Sequence, residues 1–395
     1  MRILILDTYY SRFTDSLYSK YPDLERRSYD EQLSTLLCQG FGTADFYSTN
    51  LKELGHEAAE IIPNCAPLQQ QWAREHGIDV QGQSSWALTK RRGFIPWVSR
   101  QKTNGWFYAT LSAQIQHFKP DVLYVQDING LNAAFIRAMK ANVRLVVGQI
   151  ACPISRGTVF RDYDLILSSL PNFVERFRAA GLKSEYFKLA FDPKVLAHLK
   201  NQTRYDTVFV GTLSRGHAGR IRFLEQLARS EQLSLWGFGI DSLPPDSPLH
   251  DCYQGEAWAL DMYQVLKQSR IAINYHLDIS GSYANNMRLF EATGVGTLLI
   301  TDAKKNLHTM FEVGKEIVAY QNLEDCLALI KYYSEHSDER DQIAKAGQQR
   351  TLREHTYLNR MRELEPLLES RLAATVSRHQ VSYHLASGGK TEPRR

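Results

Sequence analysis

Cysteine is scarce in this chain, and what there is does not pair. Of 395 residues only Cys38, Cys65, Cys152, Cys252 and Cys326 are cysteine, widely spread, odd in number and without a Cys-x-x-Cys pair. That excludes a disulfide framework and a cysteine-built zinc site. Small buried thiols in a reducing compartment are expected instead. Long apolar runs are missing as well, since none approaches the ~18 residues of a membrane span. Asp7 interrupts the first apolar run and no basic region precedes it, so no secretory leader is expected. The expected location is the cytoplasm, with peripheral contact to the inner face of the membrane left open. Charge of one sign is lacking too. The 47 Lys and Arg against 43 Asp and Glu leave +4, without the concentrated basic face that nucleic acid asks for, so no nucleic-acid partner is expected.

What is present is a rhythm. At 395 residues two domains are the default, and 43% hydrophobic with 23% charged residues is ordinary for a globular protein. Arg2–Leu6 reads as a central parallel strand, apolar on both faces. Similar strands recur at Asp121–Val125, Val143–Val147 and Asp164–Ser168, with helical patterns at Gly130–Ala141 and Asn172–Ala180 between them. The rhythm restarts after Phe191-Asp192-Pro193, with strands at Asp206–Val210, Leu233–Trp236, Arg270–Asn274 and Gly296–Thr301 and a helix near Gly219–Arg229. Alternating strand and helix implies an α/β fold of two Rossmann-like, doubly wound domains facing across a cleft. The expected division is 1–192 and 193–355, then a C-terminal helix at 356–373 packing back on the first domain. The polar residues 374–395, with Gly388-Gly389 and Arg394-Arg395, read as a disordered tail.

Three stretches of the second domain could carry chemistry. Val210 to Arg220 sits where a strand hands over to a helix. Gly211 lets the backbone approach a ligand, a helix start favours phosphate, and Arg215, His217 and Arg220 can donate to an anion. Its spacing is neither Gly-x-x-x-x-Gly-Lys-Ser/Thr nor Gly-x-Gly-x-x-Gly, so a solvated turn is the competing reading. In Leu235-Trp236-Gly237-Phe238-Gly239 the glycines end a strand, either as a plain tight turn or as a loop on which a nucleobase packs. The third stretch, Asn285 to Gly296, opens on the amides Asn285 and Asn286. Arg288 and Glu291 follow, three apart and so on one helix face, either as a structural ion pair or as a ligand site. Amides and a cation suit a diphosphate at a helix start, and a carboxylate one turn on suits ribose hydroxyls.

From Asp206 to Tyr357 the chain resembles the donor half of a glycosyltransferase of the B fold. More narrowly, it resembles the CgeB-like (spore maturation protein type) enzymes, related to the family 4 group. The residues carrying this are Asn286-x-Arg288-x-Phe290-Glu291-x-x-Gly294-x-Gly296-Thr297-Leu298-Leu299, Phe311-x-x-Gly314-Lys315-Glu316, Tyr332-Tyr333 through Ile343-Ala344-x-Ala346-Gly347, and His355-Thr356-Tyr357. The first half resembles the group more weakly, through Lys119-Pro120-Asp121-Val122, Phe177 to Gly181 and Ala190 to Pro193. The resemblance implies that Glu291 binds the ribose, and that Arg288 or the Gly211–Arg220 loop binds the diphosphate. Many retaining relatives carry a second glutamate eight residues earlier. Here that position is Tyr283, which leaves the anomeric outcome open; His276 and Asp278 are other polar groups nearby.

On the acceptor side an inverting transfer needs a general base. Asp127 follows the strand Asp121–Val125 and is the expected catalytic residue; Asp7, after the first strand, has the same topological position. Either could be a cap or turn former instead. Trp86 to Phe107 interleaves Trp86, Phe94, Trp97, Trp106 and Phe107 with five Lys or Arg and no acidic residue. Trp97 there is expected to face a saccharide or glycoconjugate acceptor. An anionic lipid surface, or plain burial of the rings, are the other readings. Asp15 to Asp45 is expected to shape the acceptor side as well. No Asp-x-Asp stands where it would hold a diphosphate, so neither metal nor cofactor is expected beyond a nucleoside-diphosphate sugar as donor. The competing functions are a nucleotide-sugar 2-epimerase and a non-catalytic nucleotide-sugar-binding protein.

Overall fold

The short apolar runs become the central strands of two parallel sheets. The computed structural model describes residues 1–79, 84–91, 95–102, 105–213, 217–230 and 233–387. In the first domain β1 (Arg2–Leu6) and β2 (Glu57–Ile61) precede an antiparallel hairpin, β3 (Ser84–Arg91) and β4 (Ile95–Lys102). There follow β5 (Val122–Val125), β6 (Leu145–Gln149), β7 (Leu165–Ser168) and β8 (Ser184–Tyr186), and the sheet order is β2-β1-β5-β6-β7-β8. The second domain holds β9 (Tyr205–Val210), β10 (Leu233–Trp236), β11 (Tyr253–Gly255), β12 (Ser269–Asn274), β13 (Leu298–Asp302) and β14 (Val318–Tyr320), in the order β11-β10-β9-β12-β13-β14. Every pairing within the two six-stranded sheets is parallel. Ile3 to Leu6 and Val122 to Val125 are buried throughout, as a sheet covered by helices on both faces requires.

The two domains meet where the chain crosses between them twice. Phe191 N donates to His355 O at 2.9 Å, and Tyr357 N donates to Phe191 O at 3.1 Å. A Cβ on Gly294 would lie 2.5 Å from the Phe191 ring. The glycine of the Arg288–Gly296 motif is therefore a packing requirement at the domain joint, while Gly296, at φ +85°, terminates the helix Arg288–Val295. Beyond the joint, the helix Tyr357–Ser387 lies on the first domain, with Tyr357 against the rings of Phe46 and Tyr47 and Glu365 2.9 Å from His56 Nε2.

This helix is longer than the expected 356–373. It runs through Ala374 to Ser387, where a disordered tail was read, because Ala373–Ser387 contains neither glycine nor proline to stop it. The rest of the expected tail, 388–395, lies outside the described residues. The aromatic and basic stretch at 86–107 is largely the β3–β4 hairpin, with Trp97 opposite Thr89. What the Trp97 side chain faces lies outside the described residues.

Candidate active site

Ligands of open parallel sheets bind beyond the carboxyl ends of the strands. Here those ends, from both sheets, enclose a cavity of about 400 Å³. The first domain lines it with Asp7, Thr8, Tyr10 and the loop Gly40 to Gly42. The second contributes Phe209 to Thr212, Arg220, Gly237, Phe238, Ala257 to Ala259, Met262, Asn274, Tyr275, Asn286 to Arg288 and Glu291. A larger groove of about 680 Å³ runs beside the helix Ala259–Lys267 and the interdomain linker, lined by Lys20, His198, Lys200 and Arg204 among others. It carries none of the interacting charged groups described next, so size does not select it as the site.

Arg288 opens its helix and Glu291 stands one turn in. The two form an ion pair, Nη1 to Oε2 at 2.8 Å, with side chains only 12% and 7% exposed. The pair is a buried ion pair, and both of its residues also line the cavity. Burial raises the Glu291 carboxyl above the usual range, and the Arg288 charge opposes the rise. Arg288 Nη2 also donates to Val210 O at 3.2 Å, which ties the helix start to the end of β9.

Arg220 enters the same cavity from the helix Ala218–Ser230. Its guanidinium donates to Tyr275 O (2.9 Å) and Thr212 O (3.3 Å) and lies over the Phe209 ring. Burial, then the nearby positive charge of Arg288, lower its pKa to about 10, which still leaves it cationic at neutral pH. The two guanidiniums line one cavity, where an anion could accept from both.

The glycine loops bring backbone close. Gly237 sits at φ +141°, and a Cβ there would be 1.9 Å from Gly211 O, so no other residue fits without moving the wall. Gly211 N donates to Trp236 O, which holds the β9 and β10 loops side by side. Phe238 stacks on Trp258 at 5.2 Å, and Tyr10 of the first domain meets both rings edge-on at 6.1 and 6.0 Å. These rings form an apolar end to the cavity. Asn286 Nδ2 donates to Asn274 Oδ1 at 2.6 Å, and Asn274 in turn donates to Thr301. Asn286→Ala is expected to lower stability by about 1 kcal/mol, because it leaves the buried Asn274 amide half-satisfied. A thermal melt falling by a few degrees checks this.

Other expected site residues stand elsewhere. Asn285 faces a separate small crevice with Ser169, Tyr186 and Lys188. Tyr283 packs with Ile279 against the first domain's core. His217 does not line the cavity; its Nδ1 lies 3.3 Å from Thr212 O, and burial, then Arg220, lower its pKa. Arg215 lies outside the described residues. His276 is fully buried, its Nδ1 2.6 Å from Asp302 Oδ1, and is off the cavity wall. Burial pushes Asp302 up, but the hydrogen bond and charge of His276 outweigh it and hold the carboxyl below its ordinary value. Among the described residues no group of three or more His, Cys, Asp or Glu is arranged to hold a metal ion.

The two first-domain carboxylates divide the readings between them. Asp127 accepts Gly130 N (3.2 Å) and Thr8 Oγ1 (2.8 Å), so both its oxygens are engaged. A Cβ on Gly130 would lie 2.7 Å from Asp127 Oδ2. Asp127 thus makes the turn contacts of the competing reading, and each oxygen keeps a lone pair for a further donor. Asp7, at the end of β1, is on the cavity wall facing Arg288 and Glu291. Burial raises its pKa to about 7, against hydrogen bonds from Thr43 and the Thr8 and Thr43 backbone that lower it, with the charge of Asp127 adding to the rise. Sequence reasoning placed the loop Gly40 to Asp45 only within the broad Asp15–Asp45 stretch, where the Gly-x-Gly of Gly40-Phe41-Gly42 was a visible signal, and it missed Trp258 and Asn274.

Two facing six-stranded parallel sheets with a charged cavity between their carboxyl ends define a protein of the two-domain glycosyltransferase B fold. Residues 220–366, which hold Arg220, Arg288 and Glu291, match the family described as "Glycosyl transferase-like". Three similar solved structures are these. HepE of Anabaena in complex with UDP-glucose is 13% identical, with 94% of this chain and all of that one covered and a TM-score of 0.56. Sucrose-phosphate synthase of Thermosynechococcus elongatus is 11% identical, with 95% and 100% covered and a TM-score of 0.55. AviGT4, a glycosyltransferase involved in avilamycin A biosynthesis, is 13% identical, with 95% and 99% covered and a TM-score of 0.53. No curated protein sequence matches the chain. No helix among the described residues is long and apolar enough to cross a membrane.

Proposed function

We propose that this protein transfers a sugar from a nucleoside-diphosphate sugar to a hydroxyl of a saccharide or glycoconjugate acceptor, without a metal, as a cytoplasmic enzyme of glycan or surface-polysaccharide synthesis. One observation carries the reading: a carboxyl held near neutrality, Asp7, faces Arg220, Arg288 and Glu291 across one cavity between two domains. Arg220 and Arg288 hold the diphosphate, Glu291 accepts from the ribose hydroxyls, and Phe238 and Trp258 supply an apolar surface for the base. The narrower likeness to CgeB-like enzymes rests on the motif around Arg288 and Glu291. Since HepE was captured with UDP-glucose, UDP is the first nucleotide to test.

In the proposed step the acceptor oxygen attacks the anomeric carbon and its proton passes to Asp7. The bond from that carbon to the phosphate oxygen breaks, and the nucleoside diphosphate leaves with its new charge against the two guanidiniums. With tyrosine at position 283 instead of a carboxylate, and a base on the acceptor side, direct displacement with inversion fits best. Closure of the cavity limits donor hydrolysis by excluding water.

Incubation with UDP-sugars and a panel of glycan acceptors tests this. Free UDP together with a glycosylated product is the expected outcome. A changed sugar still attached to UDP without acceptor would instead identify an epimerase, and tight binding without turnover a sensor.

A further inference from the structure

The loop Gln39 to Asp45 belongs to neither sheet, yet it lines the cavity and holds a non-glycine residue, Ala44, in the left-handed region. Gly40, Gly42 and Ala44 all have positive φ (+72°, +59° and +42°), and Ala44 is buried without the freedom of a glycine. Strain of this kind persists only where the surroundings impose it, and it gathers at functional sites. Here it is imposed from both domains. Leu260 N, in the second domain, donates to Gln39 O at 3.0 Å, and Asp7 Oδ2 lies 3.5 Å from where a Cβ of Gly42 would be. Between the three left-handed residues stands Thr43, whose hydroxyl reaches Asp7 Oδ2 at 3.2 Å and the Gln126 side-chain carboxamide at 2.8 Å.

A hydroxyl has one proton. With the Gln126 oxygen towards Thr43, the hydroxyl would have to serve two acceptors, and Gln126 Nε2 would be buried with no partner. Amide oxygen and nitrogen differ little in shape, and the hydrogen-bond network decides between them. Turning the amide makes Gln126 the donor to Thr43 and frees the Thr43 proton for Asp7. The unpaired position then holds a carbonyl, which is less costly to leave unpaired than an N–H.

We propose that Thr43 and Gln126 are positioning residues for the reaction: Gln126 donates to Thr43, Thr43 donates to Asp7, and the relay both aims the Asp7 carboxylate at the acceptor hydroxyl and stabilises its charged form. This deepens the reading of Asp7 as base and rests on it. The other charged and titratable groups facing Asp7 are Asp127 from the loop after β5, Glu60 on β2, Tyr9, Tyr10 and Tyr47, and Arg220, Arg288 and Glu291 across the cavity. None of these changes in the variants below.

The test is the pH dependence of kcat/KM for Thr43→Val, Thr43→Ser and Gln126→Met, beside Asp7→Asn. Removing a hydrogen bond to the carboxylate raises its pKa, so Thr43→Val is expected to move the acid limb up by about one pH unit. It should lower kcat about tenfold while leaving the donor KM unchanged. Thr43→Ser is expected to restore both, and Gln126→Met to shift the limb in the same direction by less. Gln126→Met leaves the strained loop intact and so decides the matter if Thr43→Val does not fold. An unmoved acid limb in folded Thr43→Val and Gln126→Met, with Asp7→Asn inactive, overturns the relay and keeps the base. Full transfer by Asp7→Asn overturns the base reading and the relay with it.

Discussion

Asp7→Asn is expected to slow sugar transfer by about 10²- to 10⁴-fold, the range for loss of a general base. Donor binding is expected to stay within about twofold. The substitution keeps shape and volume, and Asp7 enters the cavity from the first domain while the guanidiniums enter it from the second. The wild-type protein should show its own signature. A base with pKa about 7 works only when deprotonated, so kcat/KM should climb as pH rises from 6 to 8 and then level off. Stability runs the other way. The folded pKa lies above the ordinary value of 3.8, so the folded state holds a proton that the unfolded state has released. That contribution is complete below about pH 3.8 and is lost as pH rises through about 7. Asn, which never ionises, is expected to make the protein more stable than wild type at pH 8. A shift of about three units corresponds to roughly 4 kcal/mol at full burial, and contact with cavity water reduces this to roughly 1–3 kcal/mol. A thermal melt at pH 8 that shows no gain, or transfer at near wild-type rate, would remove Asp7 from the mechanism.

Glu291→Gln is the second large effect. It is expected to weaken nucleoside-diphosphate binding by about 10- to 100-fold, since ribose hydroxyls lose a charged acceptor. The ion pair dictates the choice of variant. Glu291→Ala would leave Arg288 almost buried without its partner, which typically costs about 3–5 kcal/mol and would confuse loss of binding with loss of fold. Gln keeps an acceptor oxygen beside Arg288 and removes the charge. Calorimetry is the readout, with circular dichroism to show that the fold is kept. Unchanged affinity in Glu291→Gln would falsify the ribose assignment.

The donor half was far more legible than the acceptor half, for physical reasons. Strands buried on both faces, such as Ile3 to Leu6 and Leu298 to Ile300, announce themselves as continuous apolar runs. The edge strands β2, β8, β11 and β14 do not. Glu57-Ala58-Ala59-Glu60-Ile61 and Tyr253-Gln254-Gly255 are short or polar because they cap a sheet instead of crossing its core. Arg288 and Glu291 could be read as a pair because they are three residues apart on one helix. Asp7, Thr43 and Gln126 could not, since their contacts span 36 and 83 residues of chain. Asp127 and Asp7 could not be told apart for the same reason: both follow a central strand, and only the folded turn closed by Gly130 shows how Asp127 is engaged. Asn285 and Asn286 are adjacent, yet Asn285 faces a different crevice, a distinction that depends on where the helix begins.

The most direct test of the central claim is calorimetric titration of the wild-type protein with UDP, dTDP and GDP, each beside its parent nucleoside. If the cavity between the sheets is a nucleotide-sugar site, at least one diphosphate binds with a micromolar Kd, and its nucleoside binds at least tenfold more weakly because it offers nothing to Arg220 and Arg288. Absence of binding by all three at millimolar concentration, or equal affinity for nucleoside and diphosphate, would contradict the account.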